Sequence, residues 1–141
     1  MNVRIRTDKS WQIIELSTKI DKRGSLTFIQ EGGGCPFTMR RVFVVHNVPQ
    51  GLKRGGHAHY ESWQLHFCLN GLARVWIDDC KEKKEVVLDS PSQGLLVAPM
   101  VWSEFELSSL ETILVVVSSN LYDPKDYIRD YDEFKTLVAN T

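Results

Sequence analysis

The sequence lacks any apolar run of about 20 residues, the length a bilayer-spanning helix needs, and Met1 to Asp8 contain no apolar core of the kind a secretory leader carries. Its cysteines are few, odd in number and widely spaced: Cys35, Cys68 and Cys80 form neither a disulfide framework nor a zinc knuckle. Cys68 lies in an apolar stretch and is expected to be buried. Charge of one sign is missing too. The net charge is −1 and there is no long basic run, which removes the electrostatic footprint of a nucleic-acid binder. Repeats, linkers and low-complexity segments are also absent. These absences leave a single domain over residues 1–141, long enough to bury a core, with a reducing cytoplasm as the expected compartment and neither membrane nor nucleic acid as a partner.

What the chain does contain is many short β-type segments. Trp11–Leu16, Leu26–Gln30, Met39–Val45, Glu85–Leu88, Leu95–Ala98 and Thr112–Ser118 read as strands, and Trp102–Leu107 reads as a half-buried one. Asp21-Lys-Arg23-Gly24-Ser is a turn, Gly32-Gly-Gly34 a loop, Asn47 to Gly56 a loop, and Ser90-Pro-Ser-Gln-Gly94 a turn. Asn70-Gly71 breaks an alternating stretch from Gln64 to Asp78 and marks a hairpin. Strands of this length between Gly and Pro turns predict an all-β barrel or sandwich. Only the end changes period: Tyr127, Tyr131, Phe134 and Val138 recur at helical spacing, which predicts a short helical C-terminal segment over residues 124–139.

The chemistry concentrates in Arg54-Gly-Gly-His57-Ala-His59. Two histidines at i and i+2 on a strand point to one face, and paired imidazoles on one wall hold a metal or move protons. A pocket inside a small barrel is the reading to test, against a pair on an exposed loop. The two glycines before the pair speak for crowded backbone rather than solvent.

This frame resembles the cupins, jelly-roll barrels that often carry a metal on His-x-His, a following Glu, and a further His after a Pro-rich turn. His57, His59 and Gly71 fit it, as does the approach Ala98-Pro99-Met-Val-Trp102. Position 64 is Gln and position 103 is Ser, both poorer ligands than carboxylate and imidazole. Glu104 would face the other way on a strand. The expectation is a pocket without metal or other cofactor, its histidines free for acid–base work.

Within the cupins the sequence is similar to the sugar nucleotide 3,4-ketoisomerases that act on dTDP-4-keto-6-deoxyglucose. The marks run along nearly the whole chain: Asp21-x-Arg23-Gly24-Ser, Arg40-Arg41-Val, Arg54-Gly-x-His57-Ala-His59, Gln64 with Cys68-Leu-Asn-Gly71, Leu88-Asp-Ser-Pro-x-x-Gly-Leu, Pro99-x-Val-Trp102 and Tyr122-Asp-x-x-Asp-Tyr-Ile-Arg129-x-Tyr-Asp. The resemblance implies a jelly-roll barrel, a homodimer exchanging N-terminal strands, a dTDP-sugar in the barrel mouth, and His57 and His59 as the catalytic pair. His59 is taken as the base and His57 as its helper, or as the group exchanging protons with the 3- and 4-oxygens.

Arg41 shares strand parity with Phe43 and is placed on the pocket face. Arg54 and Arg23 suit a diphosphate, since guanidinium offers paired donors to phosphate oxygens; Arg23 is the candidate to reach a neighbouring subunit's site. Trp102 is a candidate to stack on base or sugar, and Gln64, Phe43 and Ser103 are expected to line the pocket. His46 and His66 are read as structural, although His66 shares parity with Gln64 and Cys68. The chain departs from the family where Phe43 stands for a tyrosine, Ser103 for a histidine, Glu61-Ser62-Trp63 for the usual residues before Gln64, and Cys80 for a glycine. Two competing functions follow: a nucleotide-sugar 3,5-epimerase, and a cupin that binds a nucleotide-sugar without turning it over.

Overall fold

The structure is a computed structural model that describes residues 9–141. Fourteen strands and one α-helix follow in order: β1 Trp11–Glu15, β2 Ser17–Asp21, β3 Gly24–Phe28, β4 Gln30–Glu31, β5 Gly34–Cys35, β6 Arg41–Val45, β7 Lys53–His59, β8 Gln64–Asn70, β9 Ala73–Asp78, β10 Lys83–Leu88, β11 Gln93–Val97, β12 Trp102–Leu107, β13 Ile113–Ser118, β14 Tyr127–Ile128 and α1 Tyr131–Ala139. Two five-stranded sheets carry the fold, in the orders β1-β11-β8-β13-β6 and β10-β9-β12-β7-β14. From β6 to β14 the chain crosses between the sheets at every connection except the β9–β10 hairpin, as in a jelly roll, and the expected barrel is an open one.

Alternation explains the core. Val75 and Ile77 of β9, Phe105 and Leu107 of β12, and Leu114 and Val116 of β13 point inward and meet Leu95, Val97 and Cys68. The buried Cys68 agrees with the sequence reading. On the outer side of the second sheet, Trp102, Ala58 and Ile128 pack on Phe134 of α1. Asp130 caps α1 by accepting from the Glu133 N–H, satisfying one of the free donors of the first turn.

Four segments differ from the sequence reading. Asn70-Gly71 closes no hairpin: β8 pairs with β11 and β13 and β9 with β10 and β12, so this turn carries the chain from one sheet to the other. Ser17–Asp21 is a strand, paired with β3 across the turn at Arg23 in a hairpin that forms its own sheet. β7 begins at Lys53, inside the expected loop, because Gly55 and Gly56 leave no side-chain alternation to read. The expected helical segment over residues 124–139 is instead a 3₁₀ turn at Pro124–Asp126, then β14, then α1; Tyr127 lies on a strand beside His59. Cys80, standing where glycine was expected, has φ +70°, the left-handed region that glycine enters without penalty.

Candidate active site

Between the sheets a cleft of about 590 Å³ opens, within the range of small-molecule sites. β7 supplies its first wall. Gly55 has φ +87°, and a Cβ there would come within 2.9 Å of the Ser103 carbonyl oxygen, so only glycine fits. The register between β7 and β12 slips beside it, at Ser103/Glu104, which brings both Arg54 and His57 to the cleft although they are three residues apart. The crowding expected from the glycine pair is the crowding observed. His57 pairs with Ser103, and both line the cleft.

The facing sheet supplies two rows. Arg41, Ser118 and Gln64 lie side by side across β6, β13 and β8; one step deeper lie Phe43, Val116 and His66. Arg41, Phe43, Gln64 and His66 all line the cleft, so the parity placing Arg41 with Phe43 holds. The Arg41 guanidinium carbon sits 4.7 Å from the Phe43 ring centre and 5.4 Å from that of Tyr122, and its Nη2 donates to the Tyr127 hydroxyl at 3.2 Å.

β14 closes the wall and brings residues to which the sequence reading assigned no role. Tyr127 pairs with His59, and its ring centre lies 5.0 Å from that of His57 and 4.5 Å from that of His59. Arg129 stacks on Tyr127 at 4.4 Å and lines the cleft with it. Asp126 sits behind: its Oδ2 lies 3.0 Å from His59 Nδ1, and the same carboxylate accepts from the Ser62 hydroxyl and the Glu61 N–H. The signal is present in the stretch from Tyr122 to Arg129, but the helical spacing of Tyr127 with Tyr131 and Phe134 hides the strand.

The imidazoles lie 5.0 Å apart, edge to face, in different surroundings. Burial, aided by the neighbouring His59 and Arg129 charges, pushes His57 down to about 4, so its ring is neutral near pH 7. Burial also lowers His59, against the opposing pull of Asp126. Burial opposes ionisation of Asp126, but the Ser62, Glu61 and His59 donors outweigh it and hold its pKa below the usual carboxylate value. Arg41 Nε, His57 Nδ1, His59 Nε2 and Gln64 Nε2 are buried without a hydrogen-bond partner among the described residues. Buried polar atoms are nearly always bonded, so a group of them around one cleft marks a place built for a polar ligand.

Two expected site residues lie elsewhere. Trp102 follows the parity of Glu104, not of Ser103; it faces the outer side of the second sheet, with its ring 5.3 Å from Tyr131 and 5.6 Å from Phe134. Its role is to seat α1, and it cannot stack on a ligand in this cleft. Arg23 sits at the exposed β2–β3 turn, 2.7 Å from Asp21, outside its own chain's cleft. Among the described residues no three His, Cys, Asp or Glu side chains are grouped to hold a metal ion. No described helix is long and apolar enough to cross a membrane.

Comparison with known proteins agrees with this geometry. The family model described as "FdtA: WxcM-like, C-terminal" matches residues 9–139. A TDP-4-oxo-6-deoxy-alpha-D-glucose-3,4-oxoisomerase of Aneurinibacillus thermoaerophilus is 41% identical over 128 residues, 91% of this chain and 92% of its own. The crystal structure of a mutant 3,4-ketoisomerase QdtA from Thermoanaerobacterium thermosaccharolyticum in complex with TDP-4-keto-6-deoxyglucose is 32% identical, with a TM-score of 0.89 over 93% of this chain and 95% of that one. A TDP-fucose-3,4-ketoisomerase, WlaRA, from Campylobacter jejuni is 32% identical, with a TM-score of 0.88 over 94% of this chain and 98% of that one.

Proposed function

The chain belongs to the WxcM-like, C-terminal (FdtA) family, and from that membership and its cleft we propose that it is a nucleotide-sugar 3,4-ketoisomerase, moving the carbonyl of a dTDP-4-keto-6-deoxyhexose from C4 to C3. The observation that carries the reading is the His57–His59 pair, with His57 on the wall of a cleft lined by Arg41, Arg54 and Arg129. The arginines supply paired donors and positive charge to a diphosphate. The imidazoles supply the proton chemistry.

The C3 proton of a 4-keto sugar is acidified by the neighbouring carbonyl. A base takes it, the C3–H electron pair becomes the C3–C4 double bond, and O4 gains a proton, giving an enediol. Loss of the O3 proton then forms the C3 carbonyl as C4 takes up a proton. Atoms and electrons balance without a cofactor.

His59 is the base that the sequence resemblance implies. The geometry favours a different division, because His57 lines the cleft while His59 is held from behind by Asp126. His57 takes the C3 proton and returns it at C4. It is neutral at working pH, and the incoming diphosphate charge raises its affinity for the proton. The Asp126 carboxylate accepts from His59 Nδ1–H, which leaves Nε2 to exchange protons with the O3 and O4 atoms. Arg41, beside Phe43 and Tyr127, lies where negative charge on the enediolate would be met.

Arg23 is proposed to enter the cleft of a second copy in a homodimer, and the dTDP-sugar is the only partner the chemistry requires besides that copy. The enzyme is taken to act in the cytoplasm. Incubation with dTDP-4-keto-6-deoxyglucose followed by NMR tests the reading: a 3-keto product supports it, and binding without turnover supports the binding-protein alternative. A 3,5-epimerase is the second reading, kept by Tyr127 standing 4.5 Å from His59, a tyrosine beside a histidine. Solvent deuterium appearing at C5 would mark that reaction.

A further inference from the structure

His66 has no part in the proton transfers above, yet it is buried and lines the same cleft. It stands in the row of Phe43 and Val116, with Leu95 on its other side. The next row inward, Val45, Leu114 and Cys68, is part of the apolar core. His66 is therefore the deepest side chain bearing nitrogen or oxygen on that sheet's cleft face. A polar ring at such a position needs a bonding partner.

The ring is oriented. Nδ1 lies 3.4 Å from the Leu95 carbonyl oxygen, which can only accept, so the proton sits on Nδ1 and Nε2 carries a lone pair. Burial keeps the ring neutral, with its pKa pushed down to about 4. The floor of the cleft thus offers one hydrogen-bond acceptor and no charge.

Resting on the ketoisomerase reading, the identity of the partner follows by elimination on the hexose. C1 carries the diphosphate, C6 is a methyl group, and the oxygens at C3 and C4 are engaged by the reaction. The remaining donor is the C2 hydroxyl. We propose that His66 is a specificity-determining residue whose Nε2 accepts a hydrogen bond from the C2 hydroxyl of the substrate.

The test compares dTDP-4-keto-6-deoxyglucose with its 2-deoxy analogue. The wild type should favour the parent in kcat/KM by about 10- to 100-fold, the range expected when a buried acceptor is left unpaired. His66→Leu should turn over both sugars at the analogue's level, His66→Gln should restore part of the preference through its amide oxygen, and affinity for TDP should stay the same in all three. Equal wild-type use of the two sugars, which needs no variant, overturns the proposal. So does full preference retained by a folded His66→Leu protein. If the wild type isomerises neither sugar, the ketoisomerase reading fails by itself. Calorimetric binding of the two then decides the role of His66: a preference for the parent that His66→Leu abolishes supports it, and equal binding overturns it.

Discussion

The Nδ1 atom of His59 lies 3.0 Å from Oδ2 of Asp126, 67 positions further along the chain. The contact exists because β14 pairs with β7 immediately after the 3₁₀ turn that carries Asp126. A carboxylate on one ring nitrogen fixes the tautomer and leaves the other nitrogen as acceptor.

Asp126→Asn should therefore reduce kcat by about 10²–10⁴-fold, the range for loss of acid–base function, while TDP binding is kept. The Glu61 N–H still finds the amide oxygen, and the Ser62 hydroxyl can turn to accept from the amide nitrogen, so the loop should hold. The carboxylate raises the His59 pKa. Its removal should move any acid limb that reports His59 to lower pH. Unchanged kcat with an unshifted profile would leave Asp126 a purely structural anchor.

Stability should fall in mildly acidic solution. His57 and His66 each titrate at about 4 in the folded chain, against about 6.5 when unfolded. Between these values the unfolded chain binds more protons, so the contribution is complete above about pH 6.5 and is lost as pH falls toward 4. Urea midpoints should drop between pH 7 and pH 5, and less steeply in His66→Leu. A flat profile across that window would contradict the burial assigned to the two rings.

Much of this arrangement is legible in the sequence, and the failures have physical causes. Period-two alternation placed Arg41 with Phe43 and set Ser103 against Glu104, because a strand leaves no other choice. The same parity puts Trp102 with Glu104, outside the cleft, so an aromatic ring next to a cleft residue in sequence is not a ring available for stacking there. Asp126 and Tyr127 were hidden for a different reason. A strand of two residues shows no period, and Tyr127 falls by coincidence in register with Tyr131 and Phe134 of α1. Glycines 55 and 56 hid the start of β7 because alternation needs side chains.

Activity should be indifferent to chelators. Gln64 and Ser103 stand on the cleft wall with His57, where a hard divalent ion would call for carboxylate and imidazole. EDTA-treated protein should keep its full rate. Stoichiometric zinc, iron or manganese carried through purification, with activity lost on its removal, would refute this.

The protein should be a dimer. Strand β6 is the edge of its sheet, with Val42 60% and Val44 49% exposed, while Ile20 and Leu26 stand out on the β2–β3 hairpin at 77% and 59%. An exposed edge with apolar side chains invites pairing. Light scattering at micromolar concentration should give twice the chain mass, and Leu26→Glu should shift the population toward monomer and lower activity, since Arg23 is carried on the same hairpin. An active wild-type monomer would remove Arg23 from the neighbouring cleft.

The division of labour between the imidazoles is the most direct test of the mechanism. His57→Asn keeps a polar side chain on the cleft wall but cannot take a proton. It should lose turnover by about 10²–10⁴-fold and still bind TDP. In D2O the wild type should place deuterium at C4 of the product and exchange the C3 hydrogen of recovered substrate. His57→Asn should do neither. His59→Asn should also be slow, because O3 and O4 protons no longer move efficiently, but it should retain C3 exchange, since the ring lining the cleft is intact. The opposite pattern, exchange lost in His59→Asn and kept in His57→Asn, would return the base to His59, and the Asp126 carboxylate would then be orienting the base itself.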